Sequence, residues 1–86
     1  MPELSRFLNI KILMYADEHN PPHLHAWHKE YRAVFTFDGD MIKGYLPRRE
    51  RLAVQTWIEY HREELAANWR RLEDGEAPCK IDPLEI

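Results

Sequence analysis

Residues 31–39, YRAVFTFDG, decide the fold class of this chain of 86 residues. Large or apolar side chains stand at every second position, which is the pattern of a strand with one buried face. These positions are Tyr31, Ala33, Phe35 and Phe37. Asp38-Gly39 supplies the left-handed residues of a tight hairpin turn, after which residues 41–45 return as a second strand. The segment therefore predicts an antiparallel sheet.

Two more strands are predicted before this hairpin and one helix after it. Residues 10–15 and 23–28 also alternate, and a polar, proline-containing segment separates them. From Pro47 the apolar period becomes helical, and a stripe about 120° wide runs through residues 48–72. We expect an α+β fold in a single domain over residues 1–86, with a sheet of three or four strands packed on one long C-terminal helix. The tail, residues 79–86, also alternates and could add an edge strand.

The composition is that of a folded domain. Hydrophobic residues make up 44% of the chain and charged residues 31%, unlike a disordered segment. Cys79 is the only cysteine, so neither an intramolecular disulfide nor a multi-cysteine zinc site is available. We expect a cytoplasmic protein, because no apolar run approaches the roughly 18 residues of a membrane span and no secretory leader is recognisable. The net charge of −3 argues against a general nucleic-acid coat.

Although the net charge is negative, one cluster of basic residues could bind phosphate or an acidic partner. It consists of Lys43, Arg48, Arg49 and Arg51.

Strand alternation divides the remaining polar residues between the two faces of the predicted sheet. Leu24 and Ala26 take the core side, and their neighbours project to the opposite, outer side. The chemically active residues expected on the outer face are His23, His25, Trp27, Lys11, Tyr15 and Arg32. Exposed aromatic surface of this kind usually indicates a contact, either with a ligand or with a second copy of the chain in a homodimer.

The two strand histidines support two kinds of chemistry. His23 and His25 are two positions apart, so their imidazoles project to the same side. With His19 as a third ligand they would suit a zinc or iron ion. Without a metal, one imidazole can take the 2′-hydroxyl proton of RNA while the other protonates the leaving oxygen, and Arg32 or Lys11 steadies the phosphate. Because the spacing fixes no third ligand, we expect catalysis by His23, His25 and Arg32 with no cofactor and no tightly bound metal.

The other outer-face residues are expected to bind the substrate. Trp27 and Tyr15 can stack unpaired bases, a contact worth roughly 1–3 kcal/mol per base. Asn20 can cap the turn that leads into the histidine strand. The predicted binding residues are His19, Asn20, Tyr15, Trp27 and Lys11.

Residues 18–25, EHNPPHLH, resemble the EHNPPHxH signature of the bacterial domain-of-unknown-function family 4160. Other elements occur in the same order as in the family: a strand before the motif, an aromatic third strand, and a helix with Trp57, His61 and Trp69. The resemblance therefore covers most of the chain. Members are described as components of toxin–antitoxin modules. The resemblance implies a small bacterial toxin that works with a neighbouring antitoxin-like protein, and we expect RNA as its target. The alternative is a non-catalytic module that binds a partner protein or a divalent metal ion.

Overall fold

A computed structural model of the protein describes residues 3–16 and 20–85. Within them the chain forms five strands followed by two helices. The strands are β1 (Glu3–Phe7), β2 (Ile10–Leu13), β3 (His23–His28), β4 (Tyr31–Thr36) and β5 (Met41–Gly44), and the helices are α1 (Arg48–Tyr60) and α2 (Arg62–Glu73). Each strand pairs antiparallel with the next, in the order β1-β2-β3-β4-β5. The predicted α+β class and antiparallel sheet are confirmed.

The prediction of three or four strands was wrong because it missed β1. A two-residue turn joins β1 to β2, and both of its residues, Leu8 (φ 51°) and Asn9 (φ 59°), have the positive φ values of a type I′ turn. Leucine is not typical of such a turn. A bulge between Glu3 and Ser5 also interrupts the alternation along β1. Neither the turn nor the strand therefore shows its usual sequence pattern.

The prediction of one helix over residues 48–72 was also wrong. The backbone leaves helical geometry at His61 (φ −124°, ψ 23°), which separates α1 from α2. The apolar stripe nevertheless continues through the break. Its buried apolar members are Val54, Trp57, Ile58, Leu65 and Trp69. An unbroken helix over residues 48–72 would be about 37 Å long, more than the 34 Å of the longest dimension of the domain. The break therefore keeps both helices within the dimensions of the domain.

The tail packs against the domain but does not form the predicted edge strand. Gly75 (φ 79°) ends α2 in the left-handed conformation, as expected. The buried amide of Asn68 then fixes Cys79 by donating to its carbonyl at 2.8 Å and accepting from its N–H at 2.7 Å. Further along, the N–H of Ile81 donates to the carbonyl of Leu4 on β1 at 2.9 Å. This isolated backbone bond is not the ladder that a strand would make.

The buried apolar side chains of the sheet and the helices form one cluster. The sheet contributes Ile10, Ile12, Leu24, Ala26 and Phe35, among others. Leu24 and Ala26 have no exposed surface, as predicted. The opposite face of the sheet, called the outer face below, is not the face on which α1 and α2 pack. No helix in the described part of the chain is long and apolar enough to cross a membrane.

Candidate functional site

Strand register arranges the side chains of the outer face in two rows. One row crosses β1 to β4, and we call it the basic row; its members are Arg6, Lys11, Trp27 and Arg32. The other crosses β2 to β5, and we call it the histidine row; its members are Leu13, His25, Val34 and Lys43. Side chains at paired positions of adjacent strands contact each other. The register therefore brings together most of the residues that the sequence predicted for this face.

His23 and His25 are close neighbours. Their ring centroids are 5.4 Å apart at an interplanar angle of 64°, and the Tyr15 ring lies edge-on to His25 at 4.8 Å. The Nδ1 atom of His23 is 2.8 Å from the carbonyl oxygen of Pro21. A carbonyl only accepts, so Nδ1 carries the hydrogen in this bond. Two imidazoles at this separation can both reach one phosphate group.

Strict alternation predicted that His23 points away from the helices, but its side chain lies against α2. Its ring centroid lies 5.5 Å from that of Trp69 on α2, and Trp69 also meets Phe37 edge-on at 6.1 Å. Because His23 is the first residue of β3, its side chain can turn round the end of the sheet. Alternation holds for His25, which is half-buried on the outer face. The histidine pair therefore spans the rim between this face and α2.

The Trp27 ring contacts two cations. The guanidinium carbon of Arg32 lies 4.4 Å from the ring centroid and Nζ of Lys11 lies 5.9 Å from it, both within the ~6 Å range of a cation–π contact. Nη1 of Arg32 also donates to the carbonyls of Lys29 at 2.7 Å and Tyr31 at 2.9 Å. These contacts hold the guanidinium over Trp27. A base could stack on that side of the ring only by displacing it.

Two depressions in the outer face share Arg32. The first has a volume of about 270 Å³ and is lined by the basic row together with Asn9 and Lys29. The second has a volume of about 310 Å³ and lies beside His25, where Arg32 and Lys43 also line it. Positive side chains therefore extend from one depression into the other.

Sequence reasoning missed three cations of this surface. Arg6 belongs to the unpredicted β1, and Lys29 lies in the turn between β3 and β4. Lys43 was grouped with Arg48 and Arg49 because of their closeness in sequence, but the register places it in the histidine row. Strict alternation from Met41, which packs against the core, would place Lys43 on the core face; the register shift between Val34 and Phe35 places it on the outer face instead.

At the β1 end of the basic row, Arg6 pairs with Glu3. Nε and Nη2 of Arg6 donate to the two carboxylate oxygens at 3.1 and 2.9 Å. These hydrogen bonds hold the pKa of Glu3 below its ordinary value and raise the pKa of Arg6. An exposed pair of this kind contributes little to stability. Its main effect is to neutralise part of the positive charge at this end of the row.

Two other histidines stabilise the fold. His28 is only 7% exposed on the core face, where its Nδ1 donates to the carbonyl of Asn9 at 3.1 Å and its ring stacks on Tyr31. His61 lies at the junction of the helices, and its Nδ1 is 2.5 Å from a carboxylate oxygen of Glu64. These contacts give both residues a structural role.

Two of the predicted binding residues, His19 and Asn20, belong to the EHNPPHLH motif. His19 lies outside the described residues. Asn20 lies in an exposed bend, joined to Pro21 by a cis peptide bond. Among residues 3–16 and 20–85, no group of three or more His, Cys, Asp or Glu side chains is placed to hold a metal ion. The absence of a tightly bound metal stays a prediction.

Residues 9–70 match the family model described as Domain of unknown function (DUF4160). The chain belongs to this family. The predicted resemblance is thereby confirmed at the level of the family, and the matched segment includes His23, His25, Trp27 and Arg32. Arg6 and the tail lie outside it. No curated protein and no solved structure matches the chain.

Proposed function

We propose that the protein is a small bacterial toxin that cleaves RNA by metal-independent acid–base catalysis at His23 and His25. The observation that carries the proposal is the proximity of the two rings, whose centroids are 5.4 Å apart. Cleavage next to a 2′-hydroxyl needs two proton-transferring groups at one phosphate. Histidine is the side chain most often used for such transfers.

The proposed reaction divides the two proton transfers between the histidines. His23 accepts the 2′-hydroxyl proton at Nε2, because its Nδ1 already donates to the carbonyl of Pro21. The 2′-oxygen attacks the phosphorus, the bond from phosphorus to the 5′-oxygen breaks, and protonated His25 gives its proton to that oxygen. The products end in a 2′,3′-cyclic phosphate and a 5′-hydroxyl. Arg32 and Lys43, which line the depression beside His25, stabilise the charge that develops on the phosphate.

The experiment that tests this reaction is cleavage of a short fluorescent RNA by the purified protein in the presence of EDTA. The proposal predicts products with a 2′,3′-cyclic phosphate. The same sequence made of DNA should stay intact, since DNA lacks the 2′-hydroxyl. Cleavage of the DNA, cleavage that requires an added divalent ion, or the absence of any RNA cleavage would contradict the proposal.

The toxin part of the proposal rests on the family resemblance and implies a partner. RNA as the target implies a cytoplasmic location, and a neighbouring antitoxin-like protein would restrain the activity. Induced alone, the chain should arrest bacterial growth, and co-expression of the adjacent gene should restore it. Normal growth at a verified level of folded protein would contradict a toxin.

A second candidate function, binding of a partner protein without catalysis, is favoured by a groove between α1 and the tail. The groove has a volume of about 810 Å³, and leucines from three parts of the chain line it: Leu8, Leu52 and Leu84. Leu52 is 44% exposed. An exposed apolar patch in a concave surface usually marks an interaction site.

The charges at this groove favour an acidic partner. Arg48 and Arg49 line it where α1 begins and outnumber Glu85, the one acidic residue among the described residues that line it; the N-terminal end of a helix also attracts negative charge. We infer that the occupant is an amphipathic segment in which acidic residues adjoin apolar ones. Arg48→Glu should abolish capture of the product of the adjacent gene, whereas Arg70→Glu, on the exposed part of α2, should not. Equal capture by both variants would contradict this docking site.

A further inference from the structure

We propose that the basic row, together with Lys29, is a phosphate track that holds single-stranded RNA alongside the histidine pair. This inference rests on the proposed RNA cleavage and adds the class of substrate. The substrate is an extended strand that occupies several phosphate sites, rather than a mononucleotide.

The length and charge of the basic row fit more than one phosphate. Arg6 is paired with Lys11, Lys11 with Trp27, and Trp27 with Arg32. Neighbouring strands lie about 4.8 Å apart, so the row extends about 14 Å across the sheet. The six described residues that line its depression include four cations and no carboxylate. Such a line of charge suits successive phosphates of one strand.

Contacts within the row hold part of this charge in place before a ligand binds. Lys11 and Arg32 approach Trp27 from the two strands that flank β3. Two backbone carbonyls further restrain the Arg32 guanidinium. Long cationic side chains lose conformational entropy when they bind. A guanidinium that is already ordered loses less, which favours binding.

Arg32 connects the basic row to the histidine pair. It lines the depression of the basic row and also the depression beside His25. A strand whose phosphates lie along the row therefore continues into the second depression, where Lys43 is the next cation. The phosphate that reaches His25 is the one on which the acid–base pair acts.

RNA fits this surface better than an acidic peptide does. A peptide that docks on a protein surface normally buries an apolar centre, but Trp27 is the one large apolar side chain among the described residues that line the first depression. The adjoining histidines also offer proton transfers that a phosphodiester requires and a peptide carboxylate does not.

The test is the salt dependence of binding to a fluorescent single-stranded RNA of about 10 nucleotides. Its 2′-hydroxyls are methylated so that it cannot be cleaved. Arg6→Gln, Lys11→Gln and Lys29→Gln should each weaken binding in fluorescence anisotropy. Each should also reduce the slope of log affinity against log salt by about 0.7, the loss of one phosphate contact. Arg70→Gln, on α2, is the matched control and should change neither quantity.

A fourth variant should act in the opposite direction. Glu3 binds Arg6 through both carboxylate oxygens and competes with a phosphate for the guanidinium. Glu3→Gln removes that competing charge and should tighten RNA binding. Weaker or unchanged binding by Glu3→Gln would contradict participation of Arg6 in the track.

The outcomes separate this inference from the proposed function. Unchanged salt slopes in the Arg6→Gln, Lys11→Gln and Lys29→Gln variants would overturn the track, and so would binding of polyglutamate as tight as that of RNA. If the unmodified RNA is still cleaved in a histidine-dependent way in that case, the proposed function stands without the track. If the row variants lose RNA binding but the wild type cleaves no RNA, the track stands and the proposed catalysis is wrong.

Discussion

His25 and His28 lie three residues apart on β3 and project to opposite faces of the sheet. His25 is half-buried on the outer face beside His23, whereas His28 is nearly inaccessible and donates to the carbonyl of Asn9. Two histidines of one strand therefore lie in different environments. Substituting each one separates a structural histidine from the proposed catalytic one.

His28→Ala should destabilise the fold more than His25→Ala. The first leaves the Asn9 carbonyl without its hydrogen bond and removes the ring stacked on Tyr31, so the free energy of unfolding should fall by about 1–3 kcal/mol. The second removes the ring contacts with Tyr15 and His23 on the outer face, where the side chain is only half-buried, so its cost should be smaller, about 0.5–1 kcal/mol. Urea denaturation followed by tryptophan fluorescence measures both. Equal losses would show that His25 is structural too.

Gly44→Ala should cost far more stability than Gly75→Ala, although both glycines have a positive φ. A Cβ atom at position 44 would lie 2.0 Å from the carbonyl oxygen of Arg32, whereas one at position 75 meets nothing within 4 Å. Gly75→Ala therefore costs only the left-handed conformation, about 1–2 kcal/mol. Gly44→Ala should add a further ~1–3 kcal/mol of steric strain.

Hydrogen exchange provides a second measurement for the glycine pair. The N–H of Tyr45 donates to the carbonyl of Arg32 at 3.0 Å, next to the predicted clash. Gly44→Ala should remove its protection, and Gly75→Ala should leave it intact. Similar stability and similar protection in the two variants would contradict this account of β5.

Asn68→Ala should loosen the tail. The variant loses both hydrogen bonds to the backbone of Cys79 and leaves those backbone groups without their partner. We expect a loss of about 1–3 kcal/mol in the free energy of unfolding. Limited proteolysis should cut within residues 76–85 sooner than in the wild type. Unchanged proteolysis would show that other contacts suffice to hold the tail.

The sequence predicted those elements whose patterns are regular. Alternation gave four strands and placed Leu24 in the core and His25 on the outer face. It failed at β1, where a bulge shifts the alternation and the turn contains Leu8 rather than glycine. It failed again at His61, because the helical stripe of apolar residues runs through the break without interruption.

The candidate site was predictable only in part for a related reason. His23 and His25 are two positions apart in sequence, which predicted that they lie close together, although His23 turns toward Trp69 at the end of the sheet. Arg6, Lys29 and Lys43 join the site through pairing between strands, which one sequence does not specify. The contact of His23 with Trp69 likewise depends on where α2 packs after the break between the helices.

The RNA cleavage rate of the His23→Gln, His25→Gln double variant tests the central claim most directly. General acid–base catalysis contributes about 10²–10⁴-fold, so the rate should fall at least about 100-fold, while the free energy of unfolding falls by less than it does in Leu24→Ala. Leu24→Ala is the matched control. It leaves a buried cavity and should lower the free energy of unfolding by about 2–5 kcal/mol. Under conditions in which it is folded, it should cleave RNA at the wild-type rate. A double variant that cleaves RNA as fast as the wild type, or that unfolds like Leu24→Ala, would contradict catalysis by the histidine pair.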